Sequence, residues 1–171
     1  MAVKILPNQI QNIQQIEAVV AGPDDANRLV IINGQFDCYL QASSQGPNYV
    51  SQKEIFTVLI GPVFTKQQFV QANATASVTK TGFQTTAGAA GSMSNSGWQI
   101  LGVDADWDDE SGQVELRIEA QVDCAGLGNV SSIRGFAFHV KLFLQRLPLL
   151  ESKPAHVTKS GPPAKIGAAL I

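Results

Sequence analysis

Charge is what this chain has least of. Lys, Arg, Asp and Glu make up 15% of its 171 residues, against ~25% in an ordinary soluble domain. With a net charge of −2, there is no basic footprint for nucleic acid and no polybasic patch for a membrane surface. Histidine occurs only as His139 and His156, and neither belongs to an HxH or HExxH pattern, so zinc-type ligand spacing is missing. Two cysteines cannot build a disulfide scaffold. Cys38 and Cys124 each continue an apolar row, which predicts two reduced, inward-facing thiols, with an inter-sheet disulfide as the alternative.

Other absences narrow the function. No apolar run is long enough for a membrane-spanning helix, which needs about 18 residues or more. The opening Met1–Asn8 has one lysine and no apolar core of a signal peptide, so synthesis in the cytosol is expected. Gly-x-Ser-x-Gly does not occur, which removes the nucleophile elbow. Gly126-Leu-Gly128-Asn-Val-Ser131 lacks the third glycine of a dinucleotide loop, and Gly88-Ala-Ala-Gly-Ser92 lacks the Gly-Lys-Ser/Thr ending of a phosphate loop. No catalytic residue, metal ligand or cofactor is assigned, and the chain is not expected to be an enzyme.

What fills the space is Gln, Asn, Ser, Thr, Ala and Gly. A neutral polar surface suits packing against other protein copies or binding uncharged glycans, since few charges must be desolvated. The clearest local signal is the stretch from Trp98 to Cys124, where two alternating segments flank the acidic turn Asp108-Asp109-Glu110-Ser111-Gly112. Leu101, Val103, Ala105 and Trp107, then Val114, Leu116, Ile118, Ala120 and Val122, form one apolar face; Asp104, Asp106, Glu115, Arg117, Glu119 and Gln121 form the other. This is a hairpin with one dry and one wet side.

Further strands are expected over Arg28–Leu40, with a bulge at Asn33-Gly34, over Glu54–Ile60, and over Phe69–Thr81, where Val70, Ala72, Ala74, Ala76 and Val78 alternate with polar residues. Ile133–Leu144 carries Phe136, Phe138, Val140, Leu142 and Leu144 on one face and is expected to extend the hairpin into a three-stranded meander. In residues 8–20, Ile10, Ile13, Ile16 and Val20 recur at spacings of three and four; this predicts a helix capped by Asn8, although the β-branched content also suits a strand. Gly82–Gly97 reads as a long loop, and residues 148–171, with Pro154, Pro162 and Pro163, as an extended tail ending in Leu170-Ile171.

The fold class expected is an all-β antiparallel sandwich, jelly-roll-like, of about seven to nine strands with one N-terminal helix, in a single domain over 1–147. An open meander with a covering helix is the alternative. Asp104, Asp106, Asp108 and Glu115 fall at positions 1, 3, 5 and 12 of a calcium loop, but position 6 holds Asp109 where glycine is needed and strands replace the helices. An acidic solvated turn is the better reading. Trp98, on the polar parity, and Tyr49, in a Gly-Pro loop, are the candidate binding residues. Asn73-Ala-Thr75 and Asn129-Val-Ser131 are chance matches to a glycosylation acceptor. The function expected is a non-catalytic structural protein forming a homo-oligomer, such as a virion or particle component, through its tail or sheet faces. A lectin-like carbohydrate- or protein-binding module is the alternative.

Overall fold

In a computed structural model, which describes residues 2–21, 26–85 and 95–145, the alternating segments become β1 (Ala2–Ile5), β2 (Ile10–Ala21), β3 (Ala26–Ser44), β4 (Val50–Ile60), β5 (Phe69–Gln84), β6 (Asn95–Trp107), β7 (Val114–Ala125) and β8 (Asn129–Gln145). They form two four-stranded sheets, ordered β1-β4-β7-β6 and β2-β3-β8-β5. All pairings are antiparallel except β1 with β4. The protein is an all-β sandwich. The tail from 148 onward, His156 and the centre of the Gly82–Gly97 loop lie outside the described residues.

The alternation of β7 explains its central place. Val114, Leu116, Ile118, Ala120, Val122 and Cys124 are all fully buried, and each faces β3 and β8 across the core. Phe36 of β3, Phe56 of β4 and Phe136 of β8 stitch the sheets together: the Phe136 ring lies 5.4 Å from Phe56 and 5.7 Å from Phe36. Such tilted aromatic contacts add about 0.5–1.5 kcal/mol each beyond the area they bury.

Three expectations are corrected. The Phe136-to-Leu144 row does face the hairpin, but β8 does not extend it as a meander; after β7 the chain turns through Gly126 and Gly128, both at positive φ, and β8 enters the opposite sheet between β3 and β5. Apolar parity says which side a strand buries, and β8 buries that side against β7 from across the core. Residues 8–20 are not helical. A 3-10 turn at Pro7–Gln9 leads into β2, and the spacing of three between isoleucines arises because Asn12, at φ 51°, sits in a bulge where pairing skips from Gln11 to Gln14. An added residue reverses parity, so Ile10 faces the core and Ile16 faces out. The bulge expected within Asn33-Gly34 is therefore on the partner strand, while β3 carries its own irregularity at Asp37–Leu40. Gly34 still matters there, since a β-carbon would stand 2.6 Å from Phe138 Cζ and 3.1 Å from Ile10 Cγ2.

Two of the three corners where the chain leaves the first sheet for the second are built alike. At Leu6–Gln9 the backbone N–H of Leu6 donates to Gln9 Oε1 at 2.8 Å, and at Thr65–Gln68 the N–H of Thr65 donates to Gln68 Oε1 at 3.0 Å. In both, the glutamine N–H returns to the first residue's carbonyl at 2.9 Å. Each corner thus satisfies its own exposed backbone groups, as a capping box does.

Candidate functional site

Sheet edges carry unpaired N–H and C=O groups, so what guards them decides what the molecule can join. Among the described residues, β1 is only four residues long. β5 is broken by register shifts at Phe69/Gln71, Val78/Lys80 and Lys80/Thr81. β6 is broken at Ile100/Gly102 and carries Asp104 and Asp106. β2 has only its bulge and one charge, Glu17, which Arg28 neutralises. From Gln14 to Ala21 it pairs residue by residue with β3, without proline or lysine.

Its side chains are apolar and open to solvent. Ile13, Ile16, Val19 and Val20 are 53%, 59%, 67% and 49% exposed. Ile16, Ala18 and Val20 share the outer face, in rows that continue across the sheet: Ile16 opposes Ile31, and Ala18 opposes Leu29, which opposes Phe143. Glu17 is the one charged residue of β2, and Arg28 Nη2 meets its Oε2 at 2.6 Å. That hydrogen bond holds the Glu17 carboxyl below the usual carboxylate range. The edge is long, apolar and locally neutral.

The residues singled out for binding do not share a surface. Trp98 opposes Val122 and so points toward the core side, where its indole N–H donates to the Ser132 carbonyl at 3.0 Å; 37% of it remains exposed. The polar parity expected for it is reversed by the extra residue Leu101, which itself turns out and is 41% exposed, while Ile100 packs inward. Tyr49 is exposed on the other side of that sheet, its hydroxyl 3.9 Å from where a β-carbon on Gly97 would stand. Beside it Asp123 is nearly buried, accepting hydrogen bonds from Ser51 Oγ and Gln121 Nε2. Val70 likewise turns out and Phe69 packs in its place, because of the shift at Phe69/Gln71.

The acidic turn is occupied with its own backbone. Asp108 Oδ2 accepts from the Ser111 N–H at 2.8 Å, and hydrogen bonding by Ser111 lowers the Asp108 carboxyl below its ordinary value. Asp104 and Asp106 each accept from the next residue's N–H. No group of three or more His, Cys, Asp or Glu gathers for a metal among the described residues. His139 Nδ1 lies 2.5 Å from Asn33 Oδ1 on the outer face, bordering a shallow groove with Thr75 and Ser77.

Both cysteines are free. Cys124 is fully buried and Cys38 packs against the core from its bulge; burial pushes the Cys38 thiol up to about 12, helped by the neighbouring Asp37 carboxylate, and burial raises Cys124 as well. Thiolate is the reactive form. At pH 8 the folded chain is therefore expected to react slowly with an aromatic disulfide reagent, and to release two thiols promptly once unfolded in guanidinium; rapid reaction of the folded protein would contradict this placement.

The chain has no significant match among protein-family models, curated proteins or solved structures.

Proposed function

We propose that this protein is a non-catalytic structural component that assembles with copies of itself, as in a virion or another multi-copy particle. The observation that carries the reading is the β2 edge: eight consecutively paired residues, Gln14–Ala21, with Ile16, Val19 and Val20 open to solvent, no lysine or proline, and a single charge on the core-side parity, Glu17, that is already paired with Arg28 of the same sheet. A long flat apolar edge left open is an aggregation hazard in a free monomer, and a specific partner strand removes it. The sparse charge of the chain favours the same outcome, since little has to be desolvated when surfaces of copies meet. A glycan-binding reading has weaker support, because Trp98 and Tyr49 lie on opposite sides of one sheet.

Light scattering after size exclusion tests the proposal. The full chain and a form ending at Leu147 are both expected at two or more times the single-chain mass. A monomer in both, across the micromolar range, overturns it. Assembly lost only in the shorter form would move the contact to the tail.

A further inference from the structure

Granting the self-assembly reading, the edge itself limits how two copies can join. We propose that β2 pairs antiparallel with β2 of a second copy about a two-fold axis through Ala18, fusing the β2-β3-β8-β5 sheets into one eight-stranded sheet.

Three observations select this arrangement. First, a two-fold axis perpendicular to the sheet keeps inner faces inner and outer faces outer, so it must pass through a residue and not between two. Centring on Ala18 sets Ile16 opposite Val20 of the second copy, and Ala18 opposite its counterpart, so the outer face is apolar against apolar. Second, the charges stay apart. Centring on Glu17 would set two carboxylates face to face, which is unfavourable for directly opposed strand residues. Centring on Ala18 sets Glu17 opposite Val19 of the second copy. Val19 is opposed on its other side by Arg28, so each Glu17 also enters the row that holds the other copy's guanidinium. Third, the regular edge has the right extent. It begins after the Asn12 bulge and runs to Ala21; the Ala18 register uses Gln15 through Ala21 on both copies, without crossing the bulge. Centring on Ile16 would bring Val20 opposite the bulged Asn12.

Two half-buried apolar side chains extend the seam. Leu29 and Phe143 lie in the Ala18 row, so the joined outer faces carry one apolar band across both copies.

The test is a cross-link in the full-length chain. Ala18→Cys places two thiols at an antiparallel pair, where Cα atoms stand about 4.5–5.5 Å apart, within disulfide range. Mild oxidation is expected to give a covalent dimer on a non-reducing gel. Gln14→Cys is the control, since this register separates its two copies by eight residues, roughly 27 Å at strand rise, and no dimer is expected. A second variant, Ile16→Lys, changes an exposed side chain; it is expected to lower the assembled mass at least twofold while the far-ultraviolet circular dichroism of the folded β-sandwich is kept. Wild-type chain that is oligomeric, with no Ala18→Cys dimer and no effect of Ile16→Lys, overturns this pairing and leaves the self-assembly reading standing. Equal cross-linking at both positions also overturns it. A monomeric wild type overturns both.

Discussion

Phe136→Ala is expected to cost about 3–5 kcal/mol of folding free energy, a large share of the roughly 5–15 kcal/mol by which a domain is stable. The ring is fully buried and touches the Phe56 ring from the facing sheet and the Phe36 ring from its own. Truncation therefore removes transfer energy, leaves a cavity between two layers that cannot close without moving a sheet, and breaks the aromatic pairs. Urea unfolding followed by tryptophan fluorescence measures it; the midpoint should fall sharply, and the thermal midpoint by roughly 10 °C or more. Val70→Ala, at an exposed side chain of β5 away from the β2 edge, is the comparison and should stay within about 0.5 kcal/mol. Equal effects at the two positions would contradict the core described for this sandwich.

The second large effect is expected at Gly61, where the chain leaves β4. Gly61 has φ 81°, in the left-handed region that costs an L-residue about 1–2 kcal/mol. A β-carbon there would also stand 2.8 Å from Ile32 Cδ1, and Ile32 is fully buried. Overpacking of this kind costs about 1–3 kcal/mol, so Gly61→Ala should destabilise by about 2–5 kcal/mol in all. The loss should be local as well as global. The Gly61 carbonyl accepts from Gln113 Nε2 at 2.6 Å, and the nearby Phe64 N–H donates to the Gly112 carbonyl at 2.8 Å. Hydrogen exchange should then quicken at Phe64 and Ser111–Gln113 before the rest of the molecule. An Ala variant as stable as wild type would show that the turn does not need the left-handed residue.

Much of the sandwich is legible in the chain, for a physical reason. Parity along an unbroken strand is strictly local, so β7 and the outer half of β6 could be assigned from Val114–Val122 and Val103–Trp107 alone. The errors gather where one extra residue resets that parity. Asn12 made a bulged strand mimic helical spacing; Leu101 turned Trp98 inward; the shift after Phe69 sent Val70 out. Sequence signals for such bulges are faint: an asparagine that tolerates positive φ, or a glycine such as Gly102 beside the extra residue. Strand order is different in kind. That β8 lies between β3 and β5, and that β2 is left at an edge, depends on pairings between distant segments that no periodicity records. The candidate site was therefore invisible in advance, although Ile13, Ile16, Val19 and Val20 stood in plain view. Their exposure is a fact about neighbours.

The matched corners at Leu6–Gln9 and Thr65–Gln68 bear on the conditions the folded shape can withstand. Glutamine amides neither gain nor lose a proton in the aqueous range, and a neutral hydrogen bond is little screened by dissolved salt. Where many proteins would use an aspartate or an ion pair to bend the chain from one layer to the next, this one uses groups indifferent to acidity and ionic strength. The bend at these two corners should then survive changes of medium that would disturb a charged hinge, a useful property if, as proposed, copies of the chain have to fit against one another.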